Sequence, residues 1–405
     1  MVEGSVFVLM GRDHAGGIRL LADRLRPLGI PLVLLSNLEQ DLDAPNADEH
    51  VVIDWDTESP EVLFERLAKL KLQPIGVFNL LESLSRWHVE LTQYYGLPGP
   101  GWGHTRLADK SQVREALAAL GLSSLWFEAL PASELSQASP PRFPVIAKPA
   151  SRSGASEEVE VLHGRTDLLR YRDRVTVTLG PSKTILLEGF IAGTEFSVDG
   201  PLTEDGFRPL FVAEKSGRRE EVHDVSVSWP PSSMVQQAGI KVAEVVSILT
   251  KHVGADSGWL HVEARCEAED TELIEINVRP GGHVYMSAIR LATGIDPLAS
   301  LVSCWIPSSL RTPSQEESRA DGLALRMETI EAEEVGTVII DSSQEDVLAL
   351  PGVRDALLIS PYHAVSQHKE NFFAILLVTA SSHREAAMLA EAARAKVRFH
   401  VDDEA

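Results

Sequence analysis

Two segments of alternating polarity constrain the fold of this chain more than any other feature. Apolar residues occupy every second position in residues 261–265 and again in residues 274–279, where Ile274 begins the apolar series. Because successive side chains of a strand point to opposite faces, each segment predicts a strand with one apolar and one polar face. The short polar connection predicts a hairpin, whose register sets Glu263 opposite Glu275.

Two carboxylates placed opposite each other repel, so this register indicates a cation between them. Asn277 adds an amide oxygen on the same face, and such an all-oxygen set is one that Mg²⁺ accepts, with water and phosphate completing the coordination. Arg279 follows on that face and can hold an anion. The alternative is a solvated polar face that carries this set by chance. The turn at Gly281 and Gly282, which lets backbone approach a ligand, favours the binding site.

Two weaker signals precede the hairpin. Lys148 ends a strand-like run, and the small residues at 150–156 form a loop whose N–H groups can cover phosphates. The Walker pattern is absent, and an ordinary Ser/Gly turn is the simpler alternative. Glu188 and Glu195 stand seven residues apart on either side of a glycine-containing bend. Alone, that segment predicts only a hairpin-like bend.

The rest of the chain predicts a mixed architecture. Strand-like runs at 6–10, 32–35, 51–53 and 75–79 alternate with helical patterns at 18–28 and 61–71. This alternation predicts a doubly wound parallel sheet. After a Pro/Gly-rich segment and a helix at 107–120, closely spaced strands and a helix at 235–253 predict an α+β region with a largely antiparallel sheet. Four further strand-like runs and a terminal helix predict a C-terminal α+β unit.

Composition excludes several classes of protein. The net charge of the 405 residues is −22, which disfavours nucleic acid and membrane surfaces as partners. Two cysteines, Cys266 and Cys304, are too few for a disulfide framework or a cysteine-rich zinc site. No apolar run approaches the roughly 18 residues of a membrane span, and the first residues lack the basic region of a secretory signal. We therefore expect a cytoplasmic protein.

The order of these signals resembles the ATP-grasp superfamily of carboxylate ligases. Lys110 at a helix start, Lys148 with its loop, Glu188, Glu195 and the hairpin acids follow one another as in that family. The spacing of the three oxygen-bearing residues, twelve and then two, resembles its metal signature. Residues 274–282 resemble in particular the branch that includes the L-amino acid ligases. The resemblance covers residues 6 to about 305 and implies an ATP-grasp fold.

The resemblance implies a role for each candidate residue and a division of the chain. Lys110 and Lys148 would contact the ATP phosphates; Glu188 and the backbone of Phe190 and Ile191 the adenine; Glu195 the ribose; Ser153, Gly154 and Ser156 would form the lid loop. Glu263, Glu275 and Asn277 would bind Mg²⁺ or Mn²⁺, and Arg279 and Lys148 would act in catalysis. The expected units are an N-terminal α/β domain (1–103), an ATP-grasp subdomain with the lid (104–190), a catalytic subdomain (191–310) and the C-terminal unit (311–405).

Three residues are candidate substrate contacts, each with a simpler alternative. Glu82 is equally explained as an acid that stabilises a helix N-terminus, and His283 as a polar turn residue. Lys215 begins a basic segment that a solvated loop would also explain. The lid loop departs from the family at Glu157 and Glu158, since acidic side chains are unexpected so close to a triphosphate.

The implied activity is that of an ADP-forming carboxylate–amine ligase. Such an enzyme activates a carboxylate as an acyl-phosphate and joins it to an amine, here expected to be an amino acid. The alternatives are a thiol or other acceptor, or a nucleotide-binding regulator without catalysis, which only the acidic loop favours. The expected partners are the small-molecule carboxylate and amine, with a second copy of the chain in a homodimer.

Overall fold

The structure is a computed structural model. It describes residues 4–10, 17–151, 156–216, 225–268, 270–282, 284–306, 322–332, 335–364 and 371–402. Within these ranges the strands form four sheets. None of the helices in the described part of the chain has the length and apolar composition needed to cross a membrane.

The N-terminal part of the chain alternates strands with helices, as its sequence predicts. Its elements are β1 Ser5–Leu9, α1 Ile18–Leu25, β2 Leu32–Ser36, β3 Glu49–Val52, α2 Pro60–Lys69, β4 Pro74–Asn79 and α3 Ser85–Tyr95. The strands pair in parallel in the order β3-β2-β1-β4. Every residue of β1 and β2 is buried, which is the pattern of a parallel sheet covered on both faces. The predicted parallel sheet is confirmed.

The helix predicted at 107–120 is α5 Lys110–Ala119 in the structure, and a short helix, α4 Trp102–Leu107, precedes it. Asp109 separates them, because its carboxylate accepts hydrogen bonds from the N–H groups of Ser111 at 3.0 Å and Gln112 at 3.1 Å. Such an N-cap satisfies the free N–H groups of a new helix. It sets Lys110 in the first turn of α5.

A second sheet of four antiparallel strands follows. Its elements are β5 Phe127–Pro131, β6 Val145–Pro149, β7 Glu160–Leu162, α6 Arg165–Thr178 and β8 Thr184–Gly189. The strand order is β5-β8-β6-β7, and α6 buries Leu168, Tyr171 and Val175 in the same core cluster as the strands. Because β6 and β8 are neighbours, this sheet brings Lys148 and Glu188 together.

The largest sheet joins the central and C-terminal parts of the chain. Its strands are β9 Thr194–Thr203, β10 Gly206–Phe207, β11 Phe211–Ser216, β12 Ser226–Trp229, β13 Gly258–Glu267, β14 Asp270–Asn277, β15 Ala324–Glu331, β17 Val353–Leu358 and β19 Phe372–Ala380. Their order is β14-β13-β9-β11-β12-β15-β19-β17, with β10 paired to β9. The sheet continues from β12 into β15, across the boundary expected at 310. The division into four units stays a prediction.

Five more helices and three more strands are described. They are α7 Ser233–Val253, α8 Tyr285–Thr293, α9 Pro297–Trp305, β16 Gly336–Ile340, α10 Gln344–Leu348, β18 Tyr362–Ala364, α11 His383–Arg394 and β20 Phe399–Asp402. Strands β18, β16 and β20 form a separate small sheet.

Helix α9 holds the N-terminal sheet close to the β13–β14 hairpin. Its last residue, Trp305, packs with its ring centre 5.8 Å from that of Phe78 and 4.8 Å from that of His88. Arg24 of α1 donates from Nε to Oδ2 of Asp296, the N-cap of α9, at 2.7 Å. These contacts fix the end of β4 and the turn after it beside the hairpin.

Candidate active site

The β13–β14 hairpin has the register that the sequence predicts around its two acids. Glu263 lies opposite Glu275, and His261 lies opposite Asn277. The side chains of both glutamates are half-buried, whereas Asn277 is 6% exposed. The hairpin therefore presents two facing carboxylates and an amide on one face of the sheet.

A β-bulge follows directly after this pair of acids. Ala264 pairs with Leu273, so Ile274 is the extra residue. A bulge shifts the alternation of side chains by one position, and Leu273 enters the core in place of Ile274, which is only half-buried. The predicted place of Ile274 on the apolar face is therefore wrong. Its carbonyl oxygen instead accepts a hydrogen bond of 3.2 Å from Lys148 Nζ of the second sheet.

Each hairpin carboxylate has a lysine partner from another element. Lys215 of β11 lies with Nζ 2.8 Å from Oε1 of Glu263 and 3.1 Å from Oε1 of Glu195. Lys110 of α5 lies with Nζ 3.2 Å from Oε1 of Glu275. The cationic charge that two facing acids require thus comes from these lysines.

The structure places Lys215 differently from the expectation of a solvated loop. The sequence favoured a solvated loop at 215–219, but Lys215 lies within strand β11 and is 6% exposed. Residues 217–219 lie outside the described residues. Burial alone would raise the pKa of Glu263, but Lys215 and His261 hold that pKa well below its ordinary value. Glu263 is therefore an anion at neutral pH.

Lys148 and Glu188 form a buried ion pair between β6 and β8, with Nζ against Oε1. Arg114 of α5 donates from Nε to the other oxygen of Glu188, at 2.6 Å, and also contacts the carbonyl of Leu273. Burial lowers the pKa of Lys148, partly offset by Glu188. Burial raises the pKa of Glu188, but the two cations bring it below its usual value. Both carboxylate oxygens of Glu188 are thus engaged within the protein, and its contact with adenine stays a prediction.

Arg265 contacts three of the four residues that the resemblance places around the nucleoside. Its Nε donates to Oε2 of Glu195 at 2.9 Å, and its Nη1 donates to the carbonyl of Ile191 at 3.1 Å. Its guanidinium lies 5.5 Å from the ring centre of Phe190. Arg265 was missed as a site residue, although its place on the polar face with Glu263 was visible in the alternation. Arg114 was also missed, although its spacing of four from Lys110 on a helix puts both on one face.

The N-terminal sheet contributes Glu82, from the turn after β4. Nη2 of Arg279 donates to its Oε2 at 3.1 Å, and Nε of Arg279 lies 2.6 Å from Oε1. The amide of Asn277, with its nitrogen turned toward them, donates to Oε1 of Glu82 and Oε1 of Glu275 at 3.1 Å each. The structure thus brings Glu82 and the hairpin residues together.

A histidine that the sequence did not single out lies inside the cluster. Nδ1 of His261 is 2.7 Å from Oδ2 of Asp199, and its Nε2 is 3.3 Å from Oε1 of Glu263. Burial lowers the pKa of His261, but the carboxylates of Asp199 and Glu263 raise it to about 9. A charged imidazole donates both N–H groups, one to each carboxylate.

One of the two acidic residues at which the loop departs from the family, Glu158, makes its contacts with helix α6. Arg174 of α6 donates from Nε to Oε2 of Glu158 at 2.8 Å, and the hydroxyl of Thr178 donates to its Oε1 at 2.9 Å. The charge of Glu158 is therefore paired within the second sheet. Ser156 has a φ of 50°, in the left-handed region. Ser153, Gly154 and His283 lie outside the described residues.

The donor set on the hairpin fits a divalent cation only in combination with a ligand. In the described ranges, no three or more His, Cys, Asp or Glu side chains form a group that could hold a metal ion. Two carboxylates and one amide oxygen supply half of an octahedral shell, and Mg²⁺ commonly takes the rest from phosphates and water. The all-oxygen chemistry of the set fits such an ion. Its binding here stays a prediction.

A protein family and a curated protein each match part of this chain. Residues 141–287 match the family described as ATP-grasp domain. The chain is 25% identical over 186 residues to carnosine synthase 1 from Homo sapiens. That match covers 45% of this chain but only 22% of the length of that relative.

Solved structures resemble the whole chain, and two examples show how far the likeness extends. An L-amino acid ligase from Bacillus licheniformis superposes with a TM-score of 0.78 at 16% identity, covering 100% of both chains. The biotin carboxylase domain dimer of a 2-oxoglutarate carboxylase from Hydrogenobacter thermophilus, in complex with MgADP, ADP and bicarbonate, has a TM-score of 0.69 at 17% identity. It covers 98% of this chain and 90% of that one. Likeness at such low identity establishes the fold alone.

Proposed function

This chain carries an ATP-grasp domain and has the ATP-grasp fold that its sequence predicts, and on that premise we propose that it is an ADP-forming carboxylate–amine ligase. The observation that supports the proposal most is the convergence of charges on the β13–β14 hairpin. Glu263 and Glu275 face each other there, and lysines reach them from two other elements. An arrangement of paired acids and cations suits a ligand that itself carries several negative charges and divalent ions.

We assign Lys110 and Lys148 to the ATP phosphates. Each ammonium group already lies beside a carboxylate, Lys110 beside Glu275 and Lys148 beside Glu188. A triphosphate offers more negative charge than either carboxylate, so it would draw the lysines toward its oxygens. Glu275 would then be released to bind a cation.

We assign Glu263, Glu275 and Asn277 to Mg²⁺, with Mn²⁺ as an alternative ion. When bound, such an ion neutralises negative charge on the phosphates during transfer. The amide of Asn277 would turn by half a rotation to present its oxygen, because its nitrogen faces Glu82 and Glu275 in the ligand-free protein.

The nucleoside would lie along the connection between β8 and β9. Glu188 and the backbone of Phe190 and Ile191 would meet the adenine, and Glu195 the ribose hydroxyl groups. Arg265 supports this assignment, because it contacts three of these four residues. Ser153, Gly154 and Ser156 would cover the phosphates from the lid loop.

Arg279 would hold the phosphoryl group as it moves. In the first step an oxygen of the substrate carboxylate attacks the γ-phosphorus, the bond to ADP breaks, and an acyl-phosphate forms. In the second step the amine attacks the acyl carbon, phosphate leaves with the bonding electron pair, and the amine loses a proton. The cations Lys148 and Arg279 stabilise the charge of the first step. No nucleophilic side chain is required.

An amino acid is the substrate class we favour. Glu82 and Arg279 place an anion and a cation 2.6 Å apart where the N-terminal sheet meets the largest sheet. A substrate with both a carboxylate and an ammonium group could replace that pair, each group meeting its opposite charge. His283 and Lys215 are the further candidates for contacts with the substrates. Two proteins similar to this chain are an L-amino acid ligase and a carnosine synthase, which supports the same class.

Assembly and location follow as secondary proposals. A biotin carboxylase domain with this fold is a dimer, which supports a homodimer here. Because ATP is the proposed co-substrate, we place the reaction in the cytoplasm.

Phosphate release from ATP tests the function directly. The purified chain is incubated with Mg²⁺, ATP and the twenty amino acids taken in pairs, and products are identified by mass. We expect phosphate release that requires an amine, together with a new amide. Phosphate release that requires coenzyme A or bicarbonate would indicate another acceptor. Nucleotide binding without turnover across the whole panel would indicate a regulator, an alternative weakened by the pairing of Glu158 with Arg174.

A further inference from the structure

Asp199 of β9 is a fully buried carboxylate that the proposed function does not use. Its exposed fraction is 0%, and it lies directly opposite His261 in the pairing of β9 with β13. Oδ2 accepts a hydrogen bond from His261 Nδ1 at 2.7 Å, and Oδ1 accepts one from the backbone N–H of Gly281 at 3.0 Å. A buried charge is tolerated only where such partners satisfy it.

The first of these hydrogen bonds connects Asp199, through His261, to Glu263, which the proposed function assigns to the metal. The far nitrogen of His261 lies 3.3 Å from Oε1 of Glu263, and His261 is also the cross-strand neighbour of Asn277. The ring of Tyr285 packs edge-on against the imidazole, with centres 5.1 Å apart. Packing and two hydrogen bonds therefore hold the imidazole in one orientation, which in turn orients the carboxylate of Glu263.

The second hydrogen bond holds the turn at Gly281, close to Arg279, which the proposed function assigns to catalysis. Gly281 follows Arg279 by two residues, in the turn between β14 and α8. A Cβ atom at Gly281 would lie 2.8 Å from the ring of Tyr285, so the backbone approaches closely there. Anchoring the N–H of Gly281 sets where the chain leaves β14, and hence where Arg279 meets Glu82.

We propose that Asp199 is a positioning residue that fixes Glu263 and Arg279 relative to each other, acting through His261 and the amide of Gly281. The inference rests on the proposed function, because it assigns Glu263 to the metal and Arg279 to the phosphoryl group. One carboxylate thereby sets the geometry of two groups that must act on the same phosphate. Displacements of about 1 Å in such groups cost large factors in rate.

The substitution Asp199→Asn tests the proposal. Asparagine keeps the shape and an oxygen for Gly281, but it removes the charge that faces His261. We expect kcat to fall by about ten- to hundredfold, the range for residues that orient metal ligands, with a smaller change in KM for ATP. We expect a loss of similar size in the affinity for Mn²⁺ in the presence of a non-hydrolysable ATP analogue, measured by electron paramagnetic resonance.

A matched variant and a double mutant separate positioning from stability. Glu328→Gln changes another buried carboxylate, which lies on β15 and pairs with Arg326, and should leave Mn²⁺ affinity unchanged. His261→Asn keeps a polar group near Asp199 but cannot reach Glu263, so it should weaken Mn²⁺ binding even if Asp199→Asn fails to fold. If Asp199 acts through His261, the double variant loses less than the sum of the two single effects.

Unchanged Mn²⁺ affinity and kcat in Asp199→Asn would overturn the proposal. A loss matched by Glu328→Gln would do the same, since it would reflect stability alone. Crystal structures of the parent and of Asp199→Asn without ligand provide a test that needs no activity. The proposal requires the carboxylate of Glu263 or the Gly281 turn to shift. Superimposable sites would contradict it even if the chain proved to have no ligase activity.

Discussion

At the scale of the residue, the buried lysines of the candidate site are each paired with a carboxylate. Lys148 is 2% exposed and contacts Glu188, and Lys215 is 6% exposed and contacts Glu263. An unpaired ion at such burial would shift its pKa and become neutral. Each ion pair offsets part of the cost of burying its charges. Binding of the proposed nucleotide would exchange these partners and would not require new charges to form.

The substitution Glu275→Gln should remove most of the activity while leaving the fold intact. The amide keeps the size of the side chain but loses the charge that would bind a cation and that now pairs with Lys110. We expect turnover to fall at least about a hundredfold, comparable to the loss of one charge contact in a transition state. Phosphate release measures it. Glu267→Gln, at the exposed end of the same hairpin, serves as the control and should behave as the parent.

The substitution Arg279→Ala should separate binding from chemistry. Arg279 contacts Glu82 and Pro280, and neither contact belongs to the proposed nucleoside site. We therefore expect ATP to bind with nearly unchanged affinity, as measured by calorimetry, while amide formation is lost. Full amide formation in this variant would remove Arg279 from the catalytic assignment.

At the scale of the element, the hairpin shows what the sequence could and could not predict. Alternation of apolar and polar residues fixed the register that sets Glu263 opposite Glu275, because a slip by one residue would bury the charged face. The bulge at Ile274 was not predictable, since Leu273 and Ile274 are both apolar and either could enter the core. Asp199 was not predictable as a neighbour of the site, because β9 reaches the hairpin only through the strand order.

The start of α5 would link helix stability to the phosphate binding that we propose for Lys110. Asp109 caps this helix, and Lys110 in its first turn reaches Glu275. We expect Asp109→Ala to lower the free energy of unfolding by about 1 kcal/mol, typical of a lost cap, and to weaken ATP binding because Lys110 loses its anchored position. Thermal unfolding and ATP titration measure the two effects.

A second capped helix provides the control for this prediction. Ser232 caps α7, where its hydroxyl accepts from the N–H of Val235 at 3.4 Å, away from the hairpin acids. Ser232→Ala should cost a similar free energy of unfolding without changing ATP affinity. Equal losses of ATP affinity in both variants would show that capping acts through global stability alone.

At the scale of the whole molecule, the N-terminal sheet, the second sheet and the largest sheet all send residues to one place. Glu82 comes from the first, Lys148 and Glu188 from the second, and the hairpin acids from the third. The sequence predicted the parallel sheet and most strands of the antiparallel sheets, because their patterns are local. It could not predict that β15 extends the largest sheet, since that pairing joins residues about a hundred positions apart along the chain.

The packing of the N-terminal sheet on α9 should make stability depend on pH. His88 is buried against Trp305, and burial lowers its pKa from 6.5 to about 3. The unfolded chain therefore takes up a proton at a higher pH than the folded chain. The contribution of His88 to the free energy of unfolding is therefore fully present above pH 6.5. It falls as the pH drops toward 3, by up to about 1.4 kcal/mol per pH unit.

The variant His88→Gln isolates this contribution. Glutamine can donate to the carbonyl of Val77, as Nε2 of His88 does at 2.8 Å, but it does not titrate. Denaturant unfolding at several pH values should show a shallower loss of stability on acidification in the variant than in the parent. Parallel pH dependences in the two proteins would show that His88 does not contribute.

The central claim is that the β13–β14 hairpin gathers acids around divalent cations that hold the phosphates of ATP. A crystal structure of the chain with Mg²⁺ and a non-hydrolysable ATP analogue tests it most directly. We predict the ion among oxygens of Glu263, Glu275 and Asn277, with Lys110 and Lys148 turned from their carboxylates to the phosphates. An ion coordinated elsewhere, with Glu263 and Glu275 still paired to their lysines, would contradict the account.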